Sequence, residues 1–148
     1  MKRFFMRLFK VHRPRKKWRC ALKKPIHKIY YAHHRWKYGT QIEDYELNFL
    51  KKRFPGSSIF NPSIDIDDCN RSEKDIMSDC IDEVLKSDVI VFSSMDGMIG
   101  KGVYQEVKAA KNAGKVVLYL SQNHLTTDFH ICRTYNFSDR LYAYVYAH

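Results

Sequence analysis

The sequence predicts an α/β protein: a Rossmann-like three-layer sandwich with a mainly parallel sheet of about five strands, preceded by a basic N-terminal arm. Three observations carry that expectation. After Asp88, Val89-Ile90-Val91-Phe92 is an uninterrupted apolar run rich in β-branched residues, as expected of a strand covered on both faces. Lys115 to Leu120 is a second such run. Between them, Ser93 to Gly102 is rich in small residues and glycine. A helical pattern follows, with Val103, Val107 and Ala110 on one face and Gly114 as its stop. Two buried strands joined through a helix form a parallel unit with a right-handed crossover. The ligand crevice of such a sheet lies beyond the carboxyl ends of its strands, which places the expected site within Ser93 to Glu106.

The remaining elements follow in order. Pro25 separates an arm, residues 1–24, from the α/β domain, residues 25–148. Ile26 to Ala32 is the expected first strand, rich in Ile and Tyr. His33 to Gly39 is a loop at its carboxyl end, and Thr40-Gln41-Ile42-Glu43 fits a capping box. The helix it opens carries Ile42, Tyr45 or Leu47, Phe49 and Leu50 as a core face and ends near Phe54-Pro55-Gly56. Ser58 to Asn61 is a short strand stopped by Pro62, and Ile64 to Asn70 is an acidic connection. Ser72 caps a helix running to about Lys86, with Ile76, Cys80, Ile81, Val84 and Leu85 inward and Asp75, Asp79 and Asp82 flanking. Ser121 to Asp139 has no clear period. Leu141 to Ala147 alternates tyrosines with small apolar residues, like a half-buried strand near a sheet edge.

Composition bounds the function. A hydrophobic fraction of 45% and an aromatic fraction of 14% exclude a disordered chain. No apolar run approaches a transmembrane helix. Cys20, Cys69, Cys80 and Cys132 are scattered without a CxxC pair, which argues for reduced thiols, an intracellular and cytoplasmic setting, and no structural metal. The net charge of +10 is unevenly held: residues 1–24 contain eleven Lys or Arg and no acid, leaving the rest near neutral. In the arm, Phe4, Phe5, Leu8 and Phe9 share a helical side, and Arg15-Lys16-Lys17-Trp18-Arg19 is a basic cluster with one aromatic. Binding of RNA or another polyanion would place Arg13, Arg15, Lys16, Lys17 and Arg19 on phosphates and Trp18 in a stack. A membrane-surface or targeting segment and a solvated tail fit the same composition.

The order of IYYAHHR at 29–35, SDVIVF at 87–92 and GKGVYQEVKAAKNAGKVVLYL at 100–120 resembles the nucleoside 2-deoxyribosyltransferase superfamily, including its deoxynucleoside 5′-monophosphate N-glycosidases. The resemblance spans residues 26–120. It implies Glu106 as a nucleophile on the anomeric carbon of the sugar, kept ionised near a helix N-terminus. It also implies an assisting carboxylate, nearest to Asp79 with Asp75 and Asp82 as further candidates, and a positioning tyrosine, Tyr30. The family spacing for that carboxylate is one residue shorter and falls on Cys80, about 100° around the helix from Asp79. Gly100 stands where the transferases place an acid, with Asp96 displaced from that position. His33, His34, Arg35 and Trp36 fill a loop that is small and glycine-rich in the family.

The expected substrate-binding residues are His33, Arg35, Ser94, Asp96, Gly100 and Gly102, with a nucleoside or nucleotide as small-molecule partner. The chemistry needs neither metal nor organic cofactor, and a homodimer is implied by the resemblance. The leading expectation is thus a nucleoside or nucleotide N-glycosidase or 2-deoxyribosyltransferase-like enzyme. The alternative is a non-catalytic nucleotide-binding or scaffold module tethered by its arm to RNA, a ribonucleoprotein or another polyanion. A sensor that binds a signalling nucleotide without turnover is a third reading.

Overall fold

In the computed structural model, residues 24–134 and 140–147 are described. The expected polyanion-binding residues Arg13, Arg15, Lys16, Lys17, Trp18 and Arg19 lie outside the described residues.

Five strands form the main sheet in the order β2-β1-β3-β5-β6. They are β1 (Lys28–Ala32), β2 (Ser58–Phe60), β3 (Val89–Ser93), β5 (Val116–Ser121) and β6 (His124–Thr126). The first four pair in parallel, with Tyr30 opposite both Phe60 and Ile90, and Phe92 opposite Tyr119. β6 alone is antiparallel. The chain leaves β1 toward β2 and returns to its other side as β3. The crevice of the fold therefore opens at the carboxyl ends of β1 and β3.

Alternation along the strands divides the core in two. Tyr30, Ala32, Ile90, Phe92, Val117 and Tyr119 face helices α3 (Glu73–Lys86) and α4 (Lys101–Asn112), meeting Cys80, Val84, Val103, Val107 and Ala110. Ile29, Tyr31, Val89, Val91, Leu118 and Leu120 face the other way, toward Leu50 and Phe54 at the end of α1 (Gln41–Arg53). The three-layer expectation is met.

Four expectations are corrected. On α3 the buried residues are Cys80 and Val84, whereas Leu85 is exposed. On α1 the buried positions are Glu43, Glu46 and Leu50, whereas Ile42 and Tyr45 are exposed. The acids turn inward because the loop after β1 supplies buried partners for them. Pro62 to Asp65 forms a short helix, α2, capped by the Asn61 side chain, within what reads as a polar connection. The aperiodic stretch after β5 contains β6 and β7 (Phe129–Arg133). β7 joins β8 (Ala143–Ala147) and β4 (Met98–Ile99) in a second, antiparallel sheet of order β4-β8-β7, so the last strand is central in a small sheet instead of lying at the edge of the large one.

Two tight turns make that possible. Asp96-Gly97 links Met95 and Met98, which exchange two backbone hydrogen bonds of 2.8 and 2.9 Å, and both central residues have positive φ, 50° and 78°. Gln122-Asn123 does the same between β5 and β6, with φ of 46° and 61°. Both match the primed turns whose twist suits a hairpin.

Candidate active site

Glu106 is the sixth residue of α4, in its second turn, and faces the sheet. It is 7% exposed, and its Oε2 is buried without a hydrogen-bond partner among the described residues. Tyr30, in the middle of β1, points into the same layer, and its hydroxyl is likewise buried and unpartnered. The two groups influence each other electrostatically without forming a hydrogen bond of normal geometry. Burial pushes the Glu106 carboxyl up to about 8, against a smaller opposing effect of the Tyr30 hydroxyl. This corrects the expectation of a carboxylate held ionised by a helix N-terminus. Dipole effects fade beyond the first turn, and desolvation disfavours the charge.

Cys80 completes the cluster. It is buried on α3 against Tyr30, and burial raises its thiol to about 11, opposed by the Tyr30 contact. Burial, then Glu106 and Cys80, raise Tyr30 in turn, and burial followed by Glu106 raises Tyr38. The cluster is therefore uncharged and proton-rich at neutral pH. Asp79, the expected assisting carboxylate, is one residue away and turned outward, its Oδ2 accepting from Arg71 Nη2 at 2.6 Å. One step along the helix is about 100°, which separates the buried thiol from the half-exposed carboxylate.

The rim of the site is set by His34 and α4. Gly100 is the N-cap of α4 and makes no side-chain cap. A Cβ there would stand 3.2 Å from the His34 ring and 3.2 Å from the Arg140 carbonyl oxygen. His34 donates through Nε2 to that carbonyl, and its Nδ1 accepts from the Trp36 backbone N–H at 3.0 Å. Those two bonds define the Nε2-protonated tautomer. Gly102 lies next on α4, where a Cβ would meet Met77 at 3.2 Å.

Other expected site residues lie elsewhere. His33 follows Tyr31 onto the opposite face of the sheet, stacks on its ring at 4.0 Å and bonds Glu43 through Nε2 at 2.6 Å. Burial holds its imidazole below the usual range despite Glu43. Arg35 is largely exposed, 3.8 Å from Asp68. Asp96 is an exposed turn residue, and the Ser94 hydroxyl is bonded to that of Tyr119 at 2.7 Å.

Sequence reading missed a buried polar network on the His33 side. Lys37 Nζ donates to Glu46 Oε1 at 2.6 Å and to Ser93 Oγ at 2.8 Å, and the Tyr31 hydroxyl donates to Glu46 Oε2 at 3.1 Å. The available signal was the spacing of Glu43, Glu46 and Leu50, which is helical on one face. These bonds fix the loop after β1 and thereby the placement of His34 and Tyr38. Among the described residues no set of three His, Cys, Asp or Glu side chains is arranged to hold a metal, and no helix is long and apolar enough to cross a membrane.

No family model and no curated protein matches the chain. Among solved structures it is similar to a 2-desoxiribosyltransferase from Leishmania mexicana, at 20% identity and a TM-score of 0.49, over 79% of this chain and 77% of that one.

Proposed function

We propose that the chain is an N-glycosidase or 2-deoxyribosyltransferase-like enzyme acting on a nucleoside or nucleotide, with Glu106 as nucleophile and Tyr30 positioning it. One observation supports this above the others: a carboxyl oxygen and a phenol, both buried and both without hydrogen-bond partners among the described residues, stand together beneath the crevice of an α/β sheet. Unpaired buried polar atoms cost stability, and a ligand that hydrogen-bonds them offsets that cost. Sugar hydroxyls donating to Glu106 would draw its pKa down toward the ionised form that nucleophilic attack requires. The carboxylate then attacks the anomeric carbon, the C–N bond breaks toward the base, and the resulting ester is resolved by water or a second base. Asp79, held by Arg71, has no direct part in this scheme.

The test is base release from ribo- and deoxyribonucleosides and their 5′-monophosphates, followed chromatographically beside Glu106→Ala. Turnover that vanishes in the variant is the expected result. Release that survives the substitution would remove Glu106 as nucleophile.

A second reading has its own support. His34 is buried, tied to the Arg140 carbonyl and packed against Gly100, so it fills space at the start of α4. A non-catalytic nucleotide-binding or scaffold module, with residues 1–24 engaging RNA or another polyanion, fits a site narrowed in this way. Nucleotide binding without turnover, together with polyanion binding lost on removing residues 1–24, would favour it. A homodimer belongs to the first reading and is tested by sedimentation.

A further inference from the structure

The groups around Glu106 differ in what they supply to a leaving base. Cleaving a neutral nucleoside expels the base as an anion unless a proton reaches it, and a positioned general acid contributes about 10²–10⁴-fold. Among the described residues, Tyr30, Tyr38 and Cys80 carry protons close enough to Glu106 to feel its charge, while His34, against Gly100, and Asp79, beside Cys80 on α3, stand further out. The phenols and the thiol are weak acids made weaker by burial. The Nε2 proton of His34 is committed to the Arg140 carbonyl, and its Nδ1 already accepts the Trp36 N–H. Asp79 is turned away onto Arg71. Glu106 cannot both attack the sugar as a carboxylate and protonate the base.

From this arrangement we infer that the substrate is an N-glycoside whose ring is already cationic, a ribosyl- or deoxyribosyl-pyridinium. The inference rests on the N-glycosidase reading above and names its substrate class. Such a ring needs no acid. Glu106 Oε attacks C1′ and the C1′–N bond breaks. Its electron pair neutralises the ring nitrogen, and the pyridine departs as a neutral molecule. Water then attacks C1′ of the glycosyl ester, the bond to Glu106 breaks, and the carboxylate is restored. Water supplies the hydroxyl of the sugar and releases one proton to solvent, so charge and atoms balance.

The same charge answers the desolvation of Glu106. A cation within a few ångströms favours the carboxylate in a site that otherwise favours the acid. A π face suits a cationic ring too, since the Tyr38 ring stands close enough to feel the Glu106 charge.

The experiment compares kcat/KM of the full chain for nicotinamide riboside and its 5′-phosphate with that for adenosine, guanosine, cytidine, uridine and their deoxy and 5′-phosphate forms. The expected result is a preference for the pyridinium of at least about 100-fold, the scale of a missing general acid. Cleavage of neutral nucleosides at comparable efficiency would overturn the inference and leave the N-glycosidase reading standing. Release from neither class would overturn both. Ring-substituted pyridinium ribosides supply a readout independent of any variant: kcat/KM should fall steeply as the leaving pyridine becomes more basic, and a flat dependence would count against the inference. Cys80→Asp should raise kcat/KM for neutral nucleosides at least about tenfold relative to the pyridinium. An unchanged ratio in a folded Cys80→Asp protein would also count against it.

Discussion

The Tyr30 hydroxyl and the Glu106 carboxyl occupy one buried space between β1 and α4, and neither Tyr30 Oη nor Glu106 Oε2 has a hydrogen-bond partner among the described residues. Two strongly polar atoms without partners are an expense in a layer otherwise packed with Ile90, Phe92, Val103 and Val107. The consequences of that expense are measurable.

The first concerns activity and pH. With the free-enzyme carboxyl at about 8, roughly one molecule in ten carries the nucleophilic form at pH 7. For substrates that do not themselves titrate, kcat/KM should rise about tenfold per pH unit below 8 and level off above it. A pH profile flat between 6 and 9 would place the limiting ionisation elsewhere.

Stability should move in the opposite direction. The folded pKa of Glu106 lies above its ordinary value of 4.5, so the folded state binds more protons than the unfolded state between pH 4.5 and about 8. Stability is highest below that window and falls as pH rises through it, by up to about 5 kcal/mol. Glu106→Gln removes this dependence. In urea denaturation its stability relative to the parent should improve from pH 5 to about pH 8 and then level off, and a constant difference across that range would contradict the assigned burial.

On the opposite face, Lys37 and Glu46 form a buried ion pair whose side chains are 6% and 10% exposed. Glu46→Ala leaves the ammonium with Ser93 alone and also removes the acceptor of the Tyr31 hydroxyl. A loss of about 3–5 kcal/mol in chemical denaturation is expected. The double variant Lys37→Met, Glu46→Leu should recover much of it, because it leaves no buried charge unpaired.

Gly100 and Gly97 test two different demands for glycine. Gly100 has an ordinary φ of −80°, so Gly100→Ala is disfavoured only by the His34 ring and the Arg140 carbonyl, each 3.2 Å from the new methyl. It should cost about 1–3 kcal/mol in thermal denaturation, and His34→Ala should relieve part of that cost. Gly97 has open space around it but a φ of 78°, so Gly97→Ala should cost about 1–2 kcal/mol through backbone strain alone. His34→Ala should leave that second cost untouched.

Much of the fold was legible because it is written in local periods. The apolar runs at β3 and β5, the helical spacing of Val103, Val107 and Ala110, and the Thr40 and Ser72 caps all report on neighbours within a few residues. The Thr40 and Ser72 hydroxyls do accept from Glu43 N–H and Asp75 N–H, as their spacing implies. The Asp96-Gly97 hairpin, which lies within the expected strand-to-helix junction, carries an equally local signal in its Asp-Gly pair.

The sequence by itself determined the strand–helix–strand core and the parallel sheet, and only a family resemblance paired Glu106 with Tyr30. Tertiary structure alone decided that Glu43 and Glu46 turn inward, because their partners His33 and Lys37 reach them from a separate loop. It likewise decided that Cys80, and not Asp79, meets Tyr30, and that β8 builds a second sheet with β4 and β7. Periodicity records which residues are apolar along one element. Charge pairing and desolvation depend on what other elements bring to the same place, and no local pattern encodes that.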